Sequence, residues 1–306
     1  MNDSRIPVAV IGSGNIGIDL CERLLRDPDF NLVALVGRRS TSPGLARLQS
    51  QIPFVLSEGM TDFLPLAHRV AGVFDATSAF AHQSHWNELS RLGKWMVDLT
   101  PSRIGKPLVP VLVGKSDSMK IDGANGGANY SMVTCGGQSS APLLYAIANH
   151  TKGIKEVEVS SSIASLSAGP ATRLNVDQYI ESTEELARIV TGCATVKAIL
   201  VLNPADPPVM MRTTVTIEAE YFDLGSIAAQ TKEIVADVQS SVPGYEVVVT
   251  PYATTSHRVV ATALVKGAGY YLPEYAGNLD IINAAAVETA RRHSRAVKMN
   301  AVGRTL

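Results

Sequence analysis

The chain has 306 residues, of which 46% are hydrophobic and 18% charged, with a formal net charge of −1. That length suits two domains with a sizeable core, and a charge near zero gives no electrostatic reason to expect nucleic acid or an anionic membrane as partner. The three cysteines (Cys21, Cys135, Cys193) are too far apart for a disulfide framework or a zinc site, so no metal is expected.

No apolar run approaches the ~20 residues of a membrane span. The N-terminal MNDSRIPVAVIG lacks a basic leader with an apolar core, so it is not read as a secretory signal, and a reducing cytoplasm is the expected setting. The first half then alternates. An apolar run at 8–11 ends in GSGNIG, and a helical pattern over 16–25 is stopped by Asp27-Pro28. Further apolar runs lie at 31–36 (NLVALV), 72–76 (GVFDA), 95–99 (WMVDL) and 108–112 (LVPVL), with a candidate helix over 81–92. Strands apolar throughout and separated by helices predict a parallel sheet covered on both faces. The right-handed crossover rule makes that sheet doubly wound. From Glu156 longer runs with period-two alternation appear, such as EVEVSSSIASLS, TVKAILVLN and MMRTTVTIEAEYF. YEVVVTPY and HRVVATALV follow, and two helical segments, 176–190 and 226–238, separate the runs. This predicts a second, α+β domain with one sheet face solvated. A last helix is expected over 278–298, with Leu279, Ile282, Ala286 and Ala290 as its apolar stripe.

The stretch VAVIGSGNIG sets Gly12, Gly14 and Gly17 at G-x-G-x-x-G spacing, between an apolar strand and an amphipathic helix. The first glycine permits the tight turn, the second lets the backbone approach a pyrophosphate, and the third lets helix pack on strand. Gly12, Ser13, Gly14, Asn15, Ile16 and Gly17 are therefore read as a phosphate loop of a Rossmann domain, with the helix N-terminus supplying N–H groups and partial positive charge. After the second strand, an acid would bind the ribose 2′-hydroxyl of NAD. Here LVGRRSTS offers Arg38, Arg39, Ser40 and Thr41 and no carboxylate. Arginine forks match a 2′-phosphate, so NADP(H) is favoured over NAD(H).

In NYSMVTCGGQSSAP, Cys135 lies between a strand end and a segment that reads as a helix from Gln138, with Ser139 or Ser140 as N-cap and Pro142 in the first turn. A cysteine just before a helix N-terminus has its thiolate favoured and its pKa lowered. Gly136 and Gly137 would leave the thiol uncrowded and their N–H groups free for an oxyanion. Cys21, inside a helix, and Cys193, in a turn, read as buried fillers. A nicotinamide domain with a cysteine nucleophile suggests attack on an aldehyde, hydride loss from the thiohemiacetal and a thioester product, or the reverse.

The motifs IGSGNIGIDL, VFDATSA, DLTP, MVTCGGQ, SAGPATR, NPADPPVMMR and YLPEYAGNLDI run in order along nearly the whole chain. Together they resemble the acylating acetaldehyde dehydrogenases. That resemblance implies a Rossmann domain over 1–134 and an α+β catalytic and dimerisation domain of semialdehyde-dehydrogenase type over 135–277. A C-terminal helix over 278–306 would return to the first domain. It further implies coenzyme A as co-substrate, a small aldehyde or acyl-CoA as substrate, and a homodimer or homotetramer joined through the second domain. Cys135 corresponds to the catalytic cysteine. Thr77 and Ser78 would lie beside the cofactor, with Thr100 and Pro101 after the next strand. Ser167 and Arg173 would line the substrate region, and Asn278 would meet the nicotinamide carboxamide or the substrate carbonyl.

Three departures qualify the resemblance. Arg39 stands near the position of the acid after the second strand, in line with NADP. The family's aspartate in M-R-D-T-V, thought to support the catalytic base, is Thr213 in MMRTTV, and a threonine cannot take a proton at neutral pH. The segment from Tyr245 to Gly267 lacks the extra loop of members paired with a hydroxy-oxovalerate aldolase, which weakens the implied aldolase partner. His257, at a strand start in the second domain, is the candidate proton carrier, whereas His82, His85 and His150 read as packing or helix-end residues. Two other readings stand beside the leading one: a phosphorylating semialdehyde dehydrogenase, and a degenerate, non-catalytic NADP(H)-binding homologue.

Overall fold

The apolar runs of the first half form one parallel sheet. The structure is a computed structural model that describes residues 4–122 and 127–303; the outer ends of the expected domains, at 1–3 and 304–306, lie outside the described residues. The strands are β1 (Ile6–Ile11), β2 (Phe30–Val36), β3 (Phe54–Leu56), β4 (Gly72–Asp75), β5 (Trp95–Asp98), β6 (Lys106–Pro107) and β7 (Asn129–Ser131), ordered β3-β2-β1-β4-β5-β7-β6. Every pairing among them is parallel. Val8, Ala9, Val10, Val73, Phe74, Met96 and Val97 are fully buried, because side chains on both sheet faces meet a covering layer. The helices of this half are α1 (Asn15–Leu24), α2 (Pro43–Leu48), α3 (Met60–Phe63) and α4 (Ala79–Arg91). The expected strand at 108–112 is instead a 3₁₀ turn over Pro110–Leu112 after the two-residue β6. Pro107 and Pro110 lack the N–H groups that a longer strand there would need.

The second half carries α5 (Cys135–Ala148), β8 (Thr151–Ala164), α6 (Pro170–Leu174), α7 (Val176–Thr191), β9 (Val196–Asn203), β10 (Met211–Phe222), α8 (Leu224–Gln239), β11 (Tyr245–Thr255), β12 (Arg258–Val265) and α9 (Gly277–Gly303). Its sheet runs β11-β12-β10-β8-β9, antiparallel except for the β8–β9 pair. On β10, Met211, Thr213, Val215, Ile217 and Ala219 are buried and alternate with exposed or half-buried residues, the period expected of a sheet covered on one face. The helix α5 packs on β8 and β10 and between α7 and α8.

The chain divides into two compact units. One comprises the chain up to Leu108, Ile121–Met132 and everything from Ala286 onward; the other comprises Val109–Lys120 and Val133–Ala285. The helix α9 therefore begins in the second unit and ends in the first. Within the first unit Arg291 ties it down through Asp27 (2.6 Å) and Asp29 (2.7 Å), and His293 Nδ1 lies 3.1 Å from the Tyr130 hydroxyl. Among the described residues, no helix is long and apolar enough to cross a membrane, and no cluster of metal-ligating side chains occurs.

Candidate active site

The glycine loop has the geometry its spacing predicts. Gly12 has φ +115°, and a Cβ there would fall 2.4 Å from the Ala76 carbonyl. A Cβ on Gly17 would fall 2.0 Å from the Gly12 carbonyl, so α1 and the loop approach as closely as backbones can. Around Gly14, the N-cap of α1, nothing stands within 4 Å of such an atom, which leaves room for a phosphate at the first turn formed by Asn15, Ile16 and Gly17. Ser13 Oγ is 2.8 Å from Ser42 Oγ, joining the loop to the turn after β2. That turn exposes Arg38, Arg39 and Ser40 directly beyond the buried end of β2.

The next turns are organised by two buried carboxylates. Asp75, the last residue of β4, accepts from the Thr77 N–H (3.1 Å) and hydroxyl (2.6 Å), and Ser78 caps α4. Asp98, the last residue of β5, accepts from the Thr100 N–H (2.7 Å) and the Ser102 hydroxyl (2.5 Å). Pro101 follows, half-buried, while Thr100 Oγ1 is buried without a hydrogen-bond partner. His82 and His85 are more than the packing residues expected. Both point Nδ1 at Asp75 Oδ2, at 3.0 and 2.8 Å, and His82 Nε2 meets Asn129 Nδ2 at 3.0 Å. Burial opposes ionisation of Asp75, yet the hydrogen bonds from His82 and His85 outweigh it and hold the carboxyl below its usual range. Burial also opposes a charged His82, but Asp75 and Asp98 outweigh it and raise the imidazole. Asp98 is raised to about 6, chiefly by burial.

In the second unit, α5 starts at Cys135 itself, three residues earlier than expected. Its N-cap is Thr134, which accepts from the Gly137 N–H at 2.8 Å, and Pro142 lies inside the helix. The preceding Val133 has φ +62°, a costly conformation for a β-branched residue, so the turn that presents the cysteine is strained. The glycine N–H groups are not free for an oxyanion: Gly136 donates to the Tyr179 hydroxyl at 2.9 Å, and Gly137 is occupied by its cap. Cys135 Sγ lies 3.6 Å from the same Tyr179 hydroxyl. The expected lowering of the thiol is also corrected. Burial pushes it up to about 11, because desolvation outweighs the hydrogen bonds from Tyr179 and Gly136. Cys21 and Cys193 are buried, as fillers should be, with no comparable setting.

Tyr179, on α7, is the neighbour of Cys135 that sequence reading missed. Its signal was available: Tyr179, Ser182, Thr183 and Leu186 form the buried stripe of α7, and a tyrosine on such a stripe needs a partner for its hydroxyl. Ser161 lies on the same buried face. In the β8–β10 register it is paired with Thr213, and their hydroxyls are 3.2 Å apart. His257 does not join this group. Thr213 pairs with Ala263, and His257 precedes Ala263 by six residues in the exposed turn between β11 and β12, about 20 Å away at the usual strand rise.

Ser167 and Arg173 brace the loop that leaves β8. Ser167 Oγ donates to the Ala164 carbonyl at 2.8 Å, and the guanidinium of the exposed Arg173 donates to the Ala168 and Ser165 carbonyls. Asn278, the second residue of α9, is buried with Oδ1 lacking a hydrogen-bond partner.

Comparison with known proteins adds three relatives and a family match. The family model described as prokaryotic acetaldehyde dehydrogenase, dimerisation, matches residues 135–273. The acetaldehyde dehydrogenase of Pectobacterium atrosepticum is 42% identical over 93% of this chain and 94% of its own. Those of Spirochaeta aurantia and Burkholderia pseudomallei are 42% and 43% identical, covering 95% and 96% of both chains.

Proposed function

The chain belongs to the acetaldehyde dehydrogenase family, and on that premise we propose that it is a CoA-acylating aldehyde dehydrogenase with Cys135 as nucleophile. It would interconvert a small aldehyde, CoA and NAD(P)⁺ with an acyl-CoA and NAD(P)H. The observation that carries the reading is Cys135 itself: the first residue of a helix, reached through a strained turn and in contact with a phenol. The sulfur adds to the aldehyde carbonyl, and the resulting thiohemiacetal gives up hydride. The thioester left on Cys135 then passes its acyl group to the CoA thiol, the cysteine sulfur leaving. Bound nicotinamide supplies the hydride acceptor. The chain's part is to hold it: the Gly12–Gly17 loop suits the pyrophosphate, and the orphaned Thr100 hydroxyl offers a polar contact to the remainder. Replacing Cys135 by alanine should abolish acyl-CoA formation while NADPH binding, followed by fluorescence, persists. An enzyme that retains turnover without Cys135 would refute the assignment.

NADPH is the favoured cofactor, since Arg38 and Arg39 occupy the turn where a carboxylate would select NAD. Arg39→Asp should move the kcat/KM ratio toward NAD by about tenfold or more, the loss of one charge-assisted phosphate contact. A strong NAD preference unaltered by the substitution would exclude this selectivity. The matching dimerisation family supports a homo-oligomer, and the solvent face of the second sheet, with exposed Val201, Val249 and Tyr252, suits that contact. Between Tyr245 and Val265 the chain is taken up by β11, a two-residue turn and β12, with no added loop for an aldolase.

A further inference from the structure

Once Cys135 is the nucleophile, its proton needs a destination. The thiol is buried. Thr213 cannot act as a base, and His257 is on a distant turn. What touches Sγ is the Tyr179 hydroxyl, 3.6 Å away. The Gly136 N–H donates to that oxygen, which leaves the phenol proton for another acceptor. Ser161 hydrogen-bonds Tyr179 and is in turn held 3.2 Å from Thr213 across the β8–β10 register. The glycine after the cysteine is what lets these groups converge. A Cβ on Gly136 would fall 2.2 Å from the Tyr179 hydroxyl and 2.6 Å from Ser161 Oγ.

We propose that Tyr179 is a catalytic residue that relays the Cys135 proton to the substrate oxygen, an inference that rests on the Cys135 reading above. As Sγ bonds to the carbonyl carbon, the carbonyl π pair moves onto oxygen. That oxygen takes the phenol proton of Tyr179, and the Tyr179 oxygen takes the thiol proton. A neutral thiol and a neutral aldehyde thus become a neutral thiohemiacetal, with no thiolate and no external base. In the reverse step the hydroxyl proton goes to Tyr179, its phenol proton goes to sulfur, and the aldehyde leaves. Ser161 and Thr213 are positioning residues that hold the phenol in place. Burial raises Tyr179 well above the ordinary phenol value, so at neutral pH it stays protonated and relays rather than ionises.

The test is a burst experiment on the full-length enzyme with aldehyde and oxidised cofactor but no CoA, reading one equivalent of NAD(P)H as the acyl-enzyme forms. Tyr179→Phe should slow the burst by about 10²–10³-fold, the usual reach of general acid–base catalysis. Half-saturation by aldehyde and cofactor should stay within about threefold. The wild-type burst rate should be nearly flat from about pH 6 to 9, whereas the variant's should climb about tenfold per pH unit as it comes to depend on preformed thiolate. A structural role alone would not change that slope. Should the phenylalanine variant fail to fold, difluorotyrosine introduced at position 179 replaces it; the more acidic phenol should displace the burst's pH profile to lower pH. A burst lost in Cys135→Ala but unaltered in Tyr179→Phe, or a profile unmoved by difluorotyrosine, overturns the role of Tyr179 alone. A burst that survives Cys135→Ala overturns the cysteine reading and this inference together.

Discussion

Gly136→Ala is the most incisive single change in the second unit. Helix propensity alone favours alanine over glycine by about 1 kcal/mol, so a helix with free space at this position would be stabilised. The structure predicts the reverse. The new Cβ would lie 2.2 Å from the Tyr179 hydroxyl and 3.2 Å from its ring carbon Cζ, both buried, so the ring must move by about 1 Å to reach ordinary contact. Overpacking of this kind costs roughly 1–3 kcal/mol, and the loss of the Gly136 N–H to Tyr179 hydrogen bond in a buried site adds about 1–3 kcal/mol. Set against the propensity gain, the net loss is about 1–5 kcal/mol, or a fall in Tm of roughly 2–20 °C for a unit of this size, measurable by scanning calorimetry. Adding Tyr179→Phe to Gly136→Ala removes the clashing oxygen. The double variant should regain about half of the lost stability, a coupling readable from the double-mutant cycle, while acyl-enzyme formation stays slow. Were Gly136→Ala as stable as the parent, or were the two substitutions strictly additive, the convergence of Gly136, Tyr179 and Ser161 would be wrong.

Two further outcomes follow from the same geometry. Alkylation of Cys135 by iodoacetamide in the substrate-free enzyme, read by peptide mass spectrometry, should be slow at pH 7 and rise toward about pH 11, because burial favours the thiol; a plateau reached below pH 8 would contradict this. Arg291→Ala should destabilise the first unit by about 1–3 kcal/mol, since it removes a largely buried cation from Asp27, Asp29 and Glu288, of which Glu288 keeps Arg292; chemical denaturation with an unchanged m-value would report it.

Much of the architecture was legible because it depends on short-range regularities. Apolar runs of four to seven residues require two covered faces, and period-two alternation in EVEVSSSIA and MMRTTVTIEA requires one. G-x-G-x-x-G needs only the strand before it and the helix after it. The errors were local as well. The Pro107 and Pro110 pair breaks a strand that hydrophobicity alone suggests, and the start of α5 was misplaced because Thr134, one residue before the cysteine, is as good a cap as the serines after it. The orphaned Thr100 and Asn278 oxygens, by contrast, are visible only when their surroundings are.

From sequence alone came the Rossmann loop, the arginines after β2, the family resemblance and Cys135 itself, because each is carried by residues adjacent in the chain. What sequence could not determine was the thiol's surroundings. Tyr179 lies 44 positions from Cys135, and Ser161 lies 52 from Thr213. Only the β8–β10 register, and the packing of α5 and α7 on the face it defines, bring those four side chains together. The same burial reversed the expectation for the thiol, since a helix terminus contributes a fraction of a charge at the surface whereas desolvation acts on the whole of it.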